Sequence, residues 1–140
     1  SKGGSMTDQV RAIFAENVLA TLATVNADGS PWNTPVHVAT DGEYVYWFSK
    51  ESTAHSQNIA RDPRVSLTLF SPDESRGPKG VYVNGQVELL RADSEQAARE
   101  IIGMRLGGFP PAFAAAKAYR LPIGVYNAEK STGNCWYFYS

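Results

Sequence analysis

The sequence predicts an α+β fold, an antiparallel β-barrel with peripheral helices, and three observations carry that expectation. Several short runs alternate apolar and polar residues, the period of half-buried strands, as in "RVSLTLF" and "GVYVNGQVELL". Strand candidates are separated by turn signals, the clearest being Asp28-Gly29 and Asp41-Gly42. Helical periodicity is confined to the start of the chain, one short stretch between strands, and a late segment.

Taken in order, "TDQVRAIFAEN" opens on a capping candidate, Thr7, and sets Val10, Ile13 and Phe14 at helical spacing before Asn17 stops it. Strands are then expected over 18–25, 32–39 and 44–49, the first two joined through "NADGSP". A short helix follows, with Ser52 or Thr53 as its cap. "RVSLTLF" resumes as a strand with Val65, Leu67 and Leu69 on one face. "GVYVNGQVELL" reads as one long strand in which Gly85 permits a bulge or bend, useful for closing a curved sheet. "SEQAAREIIGMRL" is helical, "GGFPP" breaks it, and "AFAAAKAYR" is expected to add a second helical piece. "IGVYN" and "CWYFYS" supply the last strands.

With 140 residues, 43% of them hydrophobic, the chain is long enough for one core. The expected organisation is a single domain over 6–140, with "SKGGS" at 1–5 as the remnant of an expression tag. A net charge of −1 gives no field to attract nucleic acid or an anionic membrane, and neither partner is expected. A lone Cys135, no signal peptide and no long apolar segment point to the cytoplasm. No metal-ligand spacing occurs.

The stretch with most chemistry is "FSKESTAHSQNIARDPRVSL", residues 48–67. There the aromatic strand "YVYWF" runs into Ser52, Thr53, His55 and Ser56 at a helix start. A helix N-terminus exposes unpaired backbone N–H groups and the positive end of its dipole, so this start can hold a phosphate. Simple capping explains the same residue types, and the pattern alone favours it. His37 lies among Val36, Val38 and Ala39 and reads as a structural histidine. Trp32, Trp47 and Trp136 suit the core or a subunit interface, or stacking on a flat ring. "RLGGFPPAF", 105–113, reads as a packed break between helices, with a lid as the sharper alternative.

The succession "GSPWNTPVHVATDGEYVYWFSKESTAHSQNIARDPRVSL" followed by "GVYVNGQVELL" resembles the pyridoxamine 5'-phosphate oxidase-like group of FMN-binding split β-barrels, over residues 18–92. The resemblance implies FMN as cofactor, bound at the subunit interface of a homodimer, and an FMN-dependent oxidoreductase acting on a small-molecule substrate. By position it sets Asn33, Thr34, Pro35 and Val36 along the flavin ring, with Phe48 and Ser49 beside it. It sets Thr53, Ala54 and His55 at the phosphate, and Lys79 with Gly80 reaching in from the neighbouring subunit. It assigns no catalytic side chain, since the flavin carries the chemistry. Where the oxidase has a basic pair, this chain has Ala54 and His55, and it ends in "NCWYFYS" rather than a basic segment. Those departures argue against pyridoxamine phosphate oxidase activity itself and weaken the phosphate grip, because an Arg–phosphate fork exceeds neutral hydrogen bonds. Lys50 or Arg61 is a candidate to compensate. The rival readings are a non-catalytic flavin or haem carrier, with His37 as a haem ligand, and a deazaflavin-dependent reductase.

Overall fold

The computed structural model describes residues 7–72, 77–124 and 134–139. Its element order is α1 (Asp8–Glu16), β1 (Leu19–Val25), β2 (Pro31–His37), β3 (Ala39–Thr40), β4 (Tyr44–Ser49), α2 (Ala54–Arg61), β5 (Arg64–Ser71), β6 (Lys79–Gln86), β7 (Glu88–Leu89), α3 (Ala92–Leu106), β8 (Lys117–Pro122) and β9 (Cys135–Tyr139). Two antiparallel sheets form, one ordered β2-β1-β5-β6-β9 and one ordered β3-β4-β8-β7. This is the expected α+β split barrel with peripheral helices. The five residues assigned to a tag lie outside the described residues, as does most of "IGVYN".

The sheets share a core because alternate residues of each strand turn the same way. Leu22, Leu67, Leu69, Val81 and Val83 face Val45, Trp47 and Leu121 across the barrel, with Val10, Ile13 and Phe14 of α1 packed into the same cluster. Trp47 is fully buried and stacks on Tyr119 at 6.1 Å. Its Nε1 has no hydrogen-bond partner among the described residues. A second cluster joins the other face of β4, through Tyr46 and Phe48, to Ala98 and Ile102 of α3. Strand β4 is therefore buried on both faces. Cys135 is also buried, and burial pushes its thiol up to about 12, so it is a packing residue.

Local chemistry explains most boundaries. Thr7 caps α1 by accepting from the Val10 amide at 3.3 Å. The β1–β2 hairpin turns at Gly29, with φ +87°, and the β3–β4 turn at Gly42, with φ +96°, both in the region that favours glycine. Helix α3 ends on Gly107 in the left-handed conformation.

Three expectations are corrected. The strand expected over 32–39 is broken at Val38, which is buried and donates to the Val18 carbonyl at 2.9 Å. There the chain passes from the first sheet to the second. The long strand expected through "GVYVNGQVELL" breaks at Val87, two residues beyond Gly85, and its tail becomes β7 in the other sheet. The helical piece expected in "AFAAAKAYR" is a single 3-10 turn at Pro111–Phe113, and Lys117–Pro122 is a strand. Pairing with both β4 and β7, and burial of Ala118, Tyr119 and Leu121, override the helix propensity of alanine.

Candidate functional site

Strand β4 delivers Ser49 to the threshold of α2, and the turn between them brings four polar side chains together. Thr53 is the helix cap: its Oγ1 accepts from the Ser56 amide at 3.2 Å and donates to the Lys50 carbonyl at 2.9 Å. Ser56 Oγ lies 2.8 Å from that hydroxyl and is buried. His55 Nε2 lies 2.7 Å from Ser49 Oγ and 3.4 Å from Thr53 Oγ1. Beneath them, burial pushes the Tyr119 phenol up from its ordinary value; its hydrogen bond with Ser56 acts the other way, and the Glu51 charge adds to the rise.

Sequence position makes this cluster possible. Ser49 ends a strand, Thr53 sits where β-region backbone precedes a helix, and Ser56 is three residues on, where a capping hydroxyl meets it. The first turn leaves the amides of Ala54 and His55 without an intrahelical carbonyl. Burial lowers the His55 imidazole below its ordinary value, so it is neutral at pH 7. The groups left to donate are thus two free amides at the positive end of a short helix, beside a neutral imidazole. Phosphate oxygens accept such hydrogen bonds, and the residues present fit an FMN phosphate without a fixed cation.

The two proposed substitutes for the missing basic pair are placed differently. Arg61 sits at the far end of α2 and donates to Asn58 Oδ1 at 2.7 Å and to the Val25 carbonyl at 3.4 Å. Lys50 is exposed, and what the cluster uses of it is the backbone carbonyl. The capping hydroxyl is Thr53, while Ser52 is exposed.

The remaining expected residues fall into three groups. Strand β2 is an edge strand, and its orientation follows from Val38 donating toward β1. With period two, Trp32, Thr34 and Val36 pair toward β1, whereas Pro31, Asn33, Pro35 and His37 turn their backbone to the open side. Pro31 and Pro35 have no N–H to lose there. Asn33 and Pro35 are exposed and Thr34 half-buried, while the Val36 side chain belongs to the core. The strand also approaches β4 and α2.

Phe48 points away from the barrel interior, into the second cluster. Phe109 meets it edge-on at 4.9 Å, Phe113 stacks at 6.3 Å, and the Arg99 guanidinium lies 5.6 Å from its ring. Segment 107–113 is thereby packed on Phe48, and Phe113 reaches the exposed His37 at 6.1 Å.

Lys79 and Gly80 stand on β6 between β5 and β9, Gly80 opposite Phe70 and Phe138. A Cβ at Gly80 would collide with the Leu69 carbonyl and would come within 2.7 Å of the Phe138 ring. Within one chain no described hydrogen bond or ion pair joins Lys79 or Gly80 to the α2 cluster. Sequence reasoning missed Asn58 and Tyr119. Asn58 is buried on the inner face of α2, donating to Thr24 Oγ1 at 3.0 Å and Asn26 Oδ1 at 2.9 Å, and its signal was a polar residue one position before the apolar Ile59.

A family model described as "Pyridoxamine 5'-phosphate oxidase" matches residues 6–121. A pyridoxine/pyridoxamine 5'-phosphate oxidase from Pseudomonas entomophila is 34% identical over 92 residues, 64% of this chain and 41% of that protein. The chain spans about two fifths of the length of the curated relatives it matches. Among solved structures, a heme binding protein from Mycobacterium smegmatis aligns at TM-score 0.66 and 23% identity, covering 81% of this chain and 49% of that one. A FAD-binding protein from Mesorhizobium loti aligns at TM-score 0.65 and 21% identity, covering 85% and 90%. These two likenesses show a shared fold.

Proposed function

The chain belongs to the pyridoxamine 5'-phosphate oxidase family, and from that premise we propose that it is an FMN-binding flavoprotein, a homodimeric FMN-dependent oxidoreductase acting on a small-molecule substrate. One observation carries the reading: Thr53, His55, Ser49 and Ser56 gather at the mouth of α2, where two amides remain free to meet an anion. Family membership, and a structural neighbour described as FAD-binding, support a flavin as the molecule that owns this anion.

When bound, FMN would supply hydride exchange at its ring. The chain's own residues bind and orient. The Ala54 and His55 amides donate to phosphate oxygens, Thr53 fixes the helix start that aims them, and Ser49 holds the His55 ring in place. The outward backbone of Asn33 and Pro35 on edge strand β2 offers hydrogen-bonding groups to a planar ring. In the homodimer, Lys79 and Gly80 would contribute from the second subunit. With Ala54 and His55 in place of a basic pair, the grip on the FMN phosphate rests on neutral donors.

Titrating the purified protein with FMN tests the proposal, with quenching of flavin fluorescence and a shifted absorption band as readouts. The expected result is saturable binding that Thr53→Val weakens by about tenfold, the loss of one cap hydroxyl and of the helix geometry it fixes. Absence of both signals, or a stronger response to haem or to a deazaflavin than to FMN, overturns it.

A further inference from the structure

A groove of about 510 Å³ lies between α1, α3 and the β3–β4 turn, and it shares no residue with the cluster at the mouth of α2. Its volume is within the range of small-molecule sites. Phe14, Ile101 and Met104 line it with apolar surface, and Met104, 87% exposed, stands at its edge. An unbranched thioether there adapts to the shape of what it covers.

The charges lining the groove are unequal in what they have left to offer. Asp41 is already used: its Oδ1 accepts from the Glu43 and Tyr44 amides at 2.9 Å each, and its Oδ2 from the Tyr46 hydroxyl at 2.8 Å. Arg105 donates through Nη2 to the Ala15 carbonyl at 2.9 Å and the Phe14 carbonyl at 3.4 Å, which fixes its guanidinium over the end of α1 and leaves the Nε and Nη1 hydrogens for a ligand. Arg11 has no side-chain partner among the described residues. Two guanidiniums therefore face one carboxylate that already accepts three hydrogen bonds. An apolar wall with a positive margin selects a ligand with an apolar body and one anionic head.

We propose that this groove is a second small-molecule site, taking an aryl or branched-alkyl carboxylate whose head meets Arg11 and Arg105 while its body lies on Phe14, Ile101 and Met104. The proposal does not depend on flavin binding.

Titration of the full ¹⁵N-labelled chain with phenylacetate, followed by amide chemical shifts, tests it. Saturable shifts are expected at residues 11–15, 39–42 and 101–105. The neutral isostere phenylacetamide should bind about three- to fivefold more weakly, the ratio an exposed ion pair provides. Arg11→Gln should weaken phenylacetate to the same extent, and Met104→Glu, which sets a like charge at the rim, should do so at least as strongly. Both positions are exposed, so both variants are expected to keep the wild-type spectrum elsewhere. No saturable shift in those segments, equal binding of acid and amide, unchanged binding by both variants, or shifts that follow protein concentration instead of ligand would each overturn the proposal.

Discussion

Protonating His55 in the folded chain means charging a half-buried ring whose Nε2 sits against Ser49, and burial opposes this. The folded chain thus releases this proton at a lower pH than the unfolded chain does, near 6.5. Above that value the ring is neutral in both states and contributes no pH dependence. As pH falls below it, the unfolded chain takes up the proton first and stability is lost until the folded pKa is passed. Thermal melts of the cofactor-free protein from pH 7.5 to 5 should therefore show a falling melting temperature, and His55→Gln should flatten the fall. Equal slopes for the two proteins would refute the assignment. The same neutrality bears on the proposed phosphate site, where attraction would come from amides and a helix dipole instead of a permanent charge. Binding governed by such groups should depend only weakly on salt compared with an Arg–phosphate fork.

Helix α2 is eight residues long, too short to persist by propensity alone, so its docking decides whether the anion-facing amides are presented at all. Asn58 is the fastening, tying α2 to Thr24 and Asn26 at the end of the first hairpin and holding Arg61 beside it. Asn58→Ala leaves several of these groups unpaired and should cost about 2–3 kcal/mol in urea unfolding. A loss below about 0.5 kcal/mol would mean that water replaces the amide without penalty.

What could be read from the sequence divides at this same scale. Caps and hairpin turns were legible because Thr7, Thr53, Gly29 and Gly42 act through neighbours a few residues away. Thr53, His55 and Ser56 were legible for the same reason, since one turn of chain brings them together, but the fourth member is Ser49 at the strand end and not the expected Ser52, which is exposed. Strand β8 was not, because Ala116 and Ala118 favour a helix until β4 and β7 flank them. The direction of Phe48 was also hidden: a strand buried on both faces has no polar alternation to show which side is which. Nor could spacing reveal that Arg61 faces the hairpin, a relation spanning 36 residues to Val25.

At the scale of the whole molecule, the outer face of the five-stranded sheet bears on the proposed homodimer. Thr21, Ala23, Ser66, Thr68 and Tyr82 form its middle, and Leu19 and Phe70 on the same face are 50% and 51% exposed. Such a face, uncharged at its centre and edged by large apolar groups, is suited to association. Phe70→Glu should convert a dimer to a monomer in sedimentation at micromolar concentration, and should weaken FMN binding by about tenfold or more if the second subunit completes the site. A wild-type chain that sediments as a monomer, or a Phe70→Glu variant that stays dimeric, would remove this face from consideration.

The turn at Val38 has a mechanical consequence. One unbroken length of backbone belongs to both sheets there, and its buried amide is tied to Val18. Neither sheet can peel away without pulling on the other, so the seam should behave as one cooperative unit. The Val38 amide is then expected to exchange with deuterium only as fast as the entire chain unfolds, tracking denaturant with the full global slope. Faster exchange with a shallow slope would mean that the two halves breathe separately.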